Sequence, residues 1–282
     1  MRKLTRWQQL GRQILLALIG LYVLIPIWIT LRLAFDGALI GRPTEFRLFP
    51  KQFSFEPLLR VLDRPYQSVE FLSLLKNSLL VSFGAAILAM LLGASLAYAF
   101  ARFRFPGRQA GLFLLLLMAV LPPVAFMTPL YIVLSALGIR TTLWALVIVY
   151  AAFAMPFCIW NMRAAFQAVP KEVEEAAYLD GAGYLTTFAF ITLPLALPSI
   201  AVAALIAFLM AYSEFALGWL FVEKASTVTL AMSIYSIVQT GNAQPWSQLG
   251  SLTLVISAPV VIIFILFQRT LLERLTFGAA SD

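Results

Sequence analysis

Glu172, Glu174, Glu175 and Asp180 stand close together in a chain of which only 12% is charged. Ala176 and Ala177 lie between them, and Gly181 and Gly183 follow. Carboxylates at this spacing find basic partners through charge-assisted hydrogen bonds, and small side chains among them let another protein's backbone come close. The chemistry on offer is docking. Catalysis has little to work with: histidine is absent, which removes the commonest general base and metal ligand. The one cysteine, Cys158, lies in an apolar run and reads as a small core residue. No catalytic residue and no metal site is assigned.

A second acid stands apart. Glu214, in Ala211-Tyr212-Ser213-Glu214-Phe215, falls near the end of a hydrophobic run. A carboxylate within a membrane span costs about 2.5 to 3.5 kcal/mol at the centre, so it is a functional candidate by default. It also suits the water interface, or a pair with a basic residue such as Arg140 or Lys224. Tyr212, Ser213, Glu214, Trp219, Asn242 and Trp246 offer aromatic faces and hydroxyl-matched polar groups for a solute pathway. Trp and Tyr also concentrate at membrane interfaces for their own reasons, so both readings stand.

The acidic cluster needs a helix. Pro170 has the φ of a first helical position, and Glu172, Glu174 and Glu175 suit the positive end of the helix dipole. Gly181 or Gly183 can take the left-handed conformation that ends a helix. One short helix is predicted from Pro170 to about Asp180, then a turn. Tyr184–Ile191, aromatic and β-branched, is expected to lie along the membrane surface before Pro194 opens the next span.

The surroundings of that helix are set by composition. Of 282 residues, 62% are hydrophobic and only 12% charged, against about 25% charged in soluble domains, so the chain is an integral membrane protein. The net charge of +7 then reads as topology, with no nucleic-acid partner implied. A membrane helix needs about 20 apolar residues. Six segments meet that: Ile14–Phe35, Ser78–Phe100, Gly111–Leu134, Leu143–Met162, Leu193–Leu217 and Leu249–Leu271. Residues 1–13 carry Arg2, Lys3, Arg6 and Arg12, which places them in the cytoplasm. Pro26, Ile27 and Trp28 stand where a signal-peptide cleavage site would fall, so the first span reads as an uncleaved anchor. Six crossings of a domain 14–271 put both termini inside, with a loop at 163–192 and a tail at 272–282. Outside lies a long loop, 36–75, with mixed charge and prolines at 43, 50, 57 and 65, read as a structured lid or an extended loop. Pro122, Pro123 and Pro129 kink the third span, either to let helices move or to shape their packing.

Glu175-Ala176-Ala177, Gly181, and Ile191-Thr192-Leu193-Pro194 at fixed offsets resemble the signature cytoplasmic loop of permease subunits of ABC-type importers. Ala97–Arg108 (AYAFARFRFPGR), Asn77-Ser78, Pro129-Leu130-Tyr131, Leu137-Gly138-Ile139 with Thr141 and Thr142, and Pro156-Phe157 resemble the carbohydrate branch, closest to the maltose-type inner-membrane permeases. Tyr212-Ser213-Glu214-Phe215 stands where that branch has Trp-Asn-Asp/Glu-Phe, with the first two letters changed. The ending LTFGAASD resembles the family's short tail, which in some maltose-type permeases reaches into the ATPase dimer; Arg274 and Phe277 depart from the small residues usual there.

The resemblance implies an all-α integral membrane fold, a six-helix type I ABC importer transmembrane bundle with a cytoplasmic coupling helix. It implies ATPase coupling through Glu174, Glu175, Ala176, Ala177, Asp180, Gly181, Ile191 and Pro194. The implied partners are a homo- or heterodimeric ABC ATPase carrying ATP-Mg, a second permease and an extracytoplasmic sugar-binding protein. The implied place is the bacterial cytoplasmic membrane, and the implied cargo an oligosaccharide such as a maltodextrin or another glycoside. The chain binds no cofactor and hydrolyses no ATP itself, because it has no Gly-rich Lys-Ser/Thr phosphate loop. A secondary transporter or channel is the alternative, but the sequence shows no internal repeat and no paired half-helices. An intramembrane enzyme lacks any nucleophile-and-base constellation.

Overall fold

In the computed structural model the described residues are 5–39, 41–67, 69–238 and 246–278. Five helices among them are long and apolar enough to cross a membrane. They are α1 (Arg6–Ala34), α3 (Phe71–Arg102), α6 (Leu143–Ala168), α9 (Leu193–Ser213) with its lead-in from Tyr184, and α12 (Trp246–Gly278). A bent helix pair is the sixth candidate. α4 (Arg108–Val120) and the segment Pro123–Ala136, which contains α5 (Met127–Ala136), meet at an angle of 102°. The break falls at Pro122 and Pro123, where consecutive rings remove donors from the helical ladder. The expected kink is therefore a sharp bend. Shorter helices complete the chain: α2 (Glu56–Asp63), α7 (Lys171–Leu179), α8 (Tyr184–Thr187), α10 (Ala216–Phe221) and α11 (Leu230–Val238).

Two compact units divide these elements, one made of Met1–Phe71 with Ile234–Pro259, the other of Leu72–Ser233 with Val260–Asp282. In the first unit, α1 exposes apolar side chains all round, from Leu15 to Trp28, a surface only lipid or another apolar partner satisfies. The described part of the 36–75 segment around Asp36 and Phe53 is structured. Asp36 bridges to Phe53, and Phe35, Phe53 and Phe55 pack ring against ring with centroids 5.1 to 5.5 Å apart. The Trp28 indole donates to the Leu48 carbonyl at 2.8 Å, and Ser251 on α12 donates to the Ala34 carbonyl at 2.9 Å.

The second unit is built on small residues. Ala85, Ala89 and Ala97 of α3 and Ala145 and Ala154 of α6 are fully buried, which lets helices pack closely where no hydrophobic force distinguishes protein from lipid. α6 runs along α9, and the Cys158 thiol, buried as expected, lies 3.8 Å from the Ala203 carbonyl. Asn77 and Ser78 lie within α3, which starts at Phe71, ahead of the predicted Ser78. Asn77 donates to the carbonyls of Ser226 and Val228 at 2.7 and 2.9 Å, and the Ser78 hydroxyl accepts from the Leu230 amide at 2.7 Å. These bonds pin the segment before α11.

The lead-in to α9 corrects one expectation. Tyr184–Ile191 does not form a separate surface strip; α8 runs through a π turn, Phe188–Thr192, straight into α9. Pro194 gives the reason. It lacks the N–H that would bond back to the Phe190 carbonyl, and its ring crowds that turn, so the helix widens just before it instead of ending.

Candidate functional site

α7 begins immediately after Pro170, which caps the helix in an extended conformation one position earlier than predicted. Glu172 and Glu174 fall in its first turn, where backbone N–H groups lack helical acceptors and negative charge is favoured. Its other end is a glycine turn. Gly181 has φ +86°, its N–H bonds to the Tyr178 carbonyl at 3.1 Å, and the Ala182 N–H bonds to the Ala177 carbonyl at 2.9 Å. This pair of bonds closes the last carbonyls of the helix and requires a residue without a Cβ at the left-handed position.

The two faces of α7 differ. Glu174 and Ala177 are buried, Glu174 to 4% exposure. Glu175, Ala176 and Asp180 are exposed, and Leu179 is 90% exposed. The adjacent acids Glu174 and Glu175 therefore do different things, since neighbouring helical positions point some 100° apart, as about 3.6 residues per turn dictates. The Glu174 carboxylate turns inward and is held by three side chains from two elements. Arg102, at the end of α3, donates from Nε at 2.9 Å; Thr192, in the π turn, donates from its hydroxyl at 2.8 Å; Tyr98 donates more weakly at 3.4 Å. Arg102 also donates to the Val169 carbonyl at 2.8 Å, fixing the residue before Pro170. The ring of Tyr98 is packed by Phe103, Phe166 and Phe188 at 4.8 to 5.8 Å, which keeps water from the pair. A buried ion pair is retained only when hydrogen bonds satisfy its remaining atoms, as they do here. The result is a clamp holding α7 to the ends of α3 and the α8–α9 rod.

Ile191 lies in the π turn, half-buried, and Pro194 is exposed just beyond it. Both act on α7 indirectly, by shaping the turn that presents Thr192. Sequence reasoning missed Arg102, Tyr98 and Thr192 as partners of Glu174. Arg102 stands with Arg104 and Arg108 in the stretch Ala97–Arg108, and nothing in the letters distinguishes it from them. Arg108 and Arg163 instead share the Phe100 carbonyl, at 3.1 and 3.4 Å.

The pathway candidates are placed less evenly. Glu214 breaks the fifth span: α9 ends at Ser213, and the Glu214 carboxylate accepts from the amides of Leu217 and Gly218 at 3.1 and 3.3 Å in the first turn of α10. A carboxylate that takes orphaned helix N–H groups offsets its own desolvation. Pairing with Arg140 or Lys224 is not what occurs. The Arg140 guanidinium bonds Glu223 and lies over the Tyr131 ring, and among the described residues Glu214 forms no ion pair. Tyr212 is buried and stacks on Phe208 at 5.5 Å, whereas the Ser213 hydroxyl is spent on the Leu209 carbonyl. Trp219 donates to the Met232 carbonyl at 3.0 Å. Gly218 sits beneath Tyr150 and Met232, which would lie 2.7 and 1.8 Å from an added Cβ. Tyr150 and Met232 had no signal in the sequence beyond being apolar span residues. Trp246 belongs to the first unit, where its indole nitrogen is buried without an acceptor, and Asn242 lies outside the described residues.

Residues 89–277 match the family described as "Binding-protein-dependent transport system inner membrane component". The chain is 28% identical over 266 residues to the maltodextrin transport system permease protein MdxG of Bacillus subtilis, covering 94% of each. It is 30% identical over 269 residues to the trehalose/maltose transport system permease protein MalG of Thermococcus litoralis, covering 94% of this chain and 93% of that one. Its fold is similar to that of a chain of a bacterial ABC transporter involved in the import of the acidic polysaccharide alginate, with a TM-score of 0.75 at 20% identity over 95% of this chain and 99% of that chain. With two thirds of its length matched, and with the α7 turn and the six apolar segments in place, the chain belongs to the inner-membrane components of binding-protein-dependent transport systems, the permease subunits of ABC importers.

Proposed function

We propose that this chain is one permease half of an ATP-driven sugar importer, with α7 as the helix that docks on a separate ATPase. The observation that carries the proposal is the division of α7 into a face fixed by its own chain at Glu174 and a face left open at Glu175, Ala176 and Leu179. Apolar and acidic groups on an exposed helix beside small side chains fit a groove with basic rims. The partner supplies ATP and its magnesium ion, and a second permease completes the pathway. The names of the curated relatives favour a maltodextrin, trehalose or similar oligosaccharide, delivered by an extracytoplasmic binding protein.

The arginines near the ends of α3 and α6 support a topology with α7 and both termini in the cytoplasm of a bacterial cell. Alternating access then requires the ATPase to hold α7 differently in its two states, since a ligand with no differential contact shifts nothing. The clamp passes that displacement to α3 and α9 together. Tyr212, Glu214 and Trp219 cluster where the fifth span breaks and are the proposed pathway residues of this half, with Ser213, Asn242 and Trp246 as further candidates. Co-purification of the detergent-solubilised chain with its ATPase tests the docking, comparing wild type with Glu175→Lys. Wild type retains the ATPase and the variant loses it; equal retention would refute the assignment of the outward face.

A further inference from the structure

At the C-terminal end of α1 the first unit encloses a polar cavity of about 120 Å3, lined by Arg32, Arg42, Thr44, Glu45, Arg47 and Lys51 among others. It is far from α7 in sequence and has no part in docking an ATPase. Four cationic groups meet there, and two carboxylates answer them. Arg47 binds Glu45 at 2.6 Å, and Arg32 lies 3.6 Å from Asp36. Among the described residues Arg42 and Lys51 have no ion-pair partner, so the cavity carries excess positive charge.

The Arg32–Asp36 pair is unsatisfied as well. Arg32 is 7% exposed and Asp36 fully buried, yet Arg32 Nε and Asp36 Oδ1 have no hydrogen-bond partner, while Asp36 Oδ2 accepts from the Lys51 amide at 3.1 Å. Of this pair Arg32 lines the cavity, and its incompletely satisfied guanidinium favours an oxyanion there.

The setting narrows the source. Arg32 lies one turn beyond Trp28, whose ring meets Phe49 edge to face at 5.9 Å, and the α1 surface leading up to it is apolar and exposed. An aromatic residue with arginines just past it marks the level where hydrocarbon gives way to headgroups. From this juxtaposition of an incompletely satisfied Arg32, unpaired Arg42 and Lys51, and a bare apolar helix, we infer a binding site for the phosphodiester headgroup of an anionic glycerophospholipid. The phosphodiester accepts from Arg32, Arg42 and Lys51, and the acyl chains lie along α1. Under the topology proposed above, this lipid belongs to the outer leaflet.

Native mass spectrometry of the purified full-length chain in detergent, with equal amounts of phosphatidylglycerol and phosphatidylcholine, tests the site. Wild type retains phosphatidylglycerol in preference. Each basic residue removed lowers retention about fivefold, so Arg42→Gln with Lys51→Gln lowers it about 25-fold. Arg32→Gln lowers it further; should that variant fail to fold, the exposed pair still decides the question. Equal retention of the two lipids, or retention indifferent to Arg42 and Lys51, would overturn the site. Displacement of the lipid by equimolar free glycerol 3-phosphate or glucuronate would overturn its assignment to lipid, since the headgroup chemistry alone would then account for binding.

Discussion

Glu174→Gln isolates the clamp from the dock. The amide keeps the size of the carboxylate and can still accept from Arg102 and Thr192, but the charge is gone. Hydrogen bonds to a charged group contribute about 1.5 to 3 kcal/mol and neutral ones about 0.5 to 1.5, so the substitution weakens the clamp by about 1 to 2 kcal/mol. That corresponds to a factor of about 5 to 30 in the population of chains with α7 released. Amide hydrogen exchange in nanodiscs reads this directly: protection across Lys171–Asp180 falls by that factor while exchange in the middle of α6 is unchanged. Glu174→Ala is harsher, because an unpaired Arg102 is left buried, and breaking such a pair by deleting one partner costs about 3 to 5 kcal/mol. In the assembled transporter, Glu174→Gln retains its ATPase and keeps hydrolysis while uptake per ATP declines. The reasoning fails if Glu174→Gln sheds the ATPase as Glu175→Lys is expected to, because the carboxylate would then face the partner. It also fails if exchange at α7 does not change.

Three other outcomes follow from the geometry. Gly181→Val forces a β-branched side chain into a left-handed conformation at φ +86°, costs upwards of about 1 to 2 kcal/mol, and uncouples ATP hydrolysis from uptake; normal ATP-driven uptake would sink the idea. Gly218→Ala drives a methyl into Met232 and Tyr150 and lowers stability by about 1 to 3 kcal/mol in a thermal-shift assay in detergent, whereas Gly183→Ala, with nothing within 4 Å of an added Cβ, is neutral within about 0.5 kcal/mol. At the basic cavity, the hydrogen bond from Arg47, its charge and that of Lys51 hold the Glu45 carboxyl below its ordinary value. The Glu45–Arg47 pair is thus present above the usual glutamate pKa of about 4.3 and is lost only as pH falls through the lowered value. Phosphatidylglycerol retention is therefore flat from neutral pH to about pH 4.3 and rises below it, when Arg47 is released; a rise between pH 7 and 5 would contradict this.

The parts of the fold that read well from sequence are those set by local chemistry. Pro170, the acids after it and Gly181 bracket α7 to within a residue because each acts on its own stretch of backbone. The apolar runs mark the spans for the same reason. What did not read is pairing. Glu174 and Glu175 are the same residue type in adjacent positions, and only the arrival of Arg102, 72 residues earlier, separates a structural carboxylate from an available one. Pro194 was read as opening a span, yet the widened turn before it lets the helix pass through. For Glu214 the letters leave a pathway role, the water interface or a basic partner open, and the carboxylate takes two backbone amides. Each miss concerns a group whose partner is chosen by tertiary structure, where one residue's preference leaves several partners open.

The clamp at Glu174 also bears on how such a subunit changes over time. Because α7 is secured from behind by its own chain, mutations on its outward side alter which surface it fits without disturbing how the helix is held. With the docking role proposed for α7, recognition and architecture sit on opposite sides of one nine-residue helix. A lineage can drift at Glu175, Ala176 and Leu179 toward a different motor, or keep one motor common to several permeases, with the membrane-embedded body left intact.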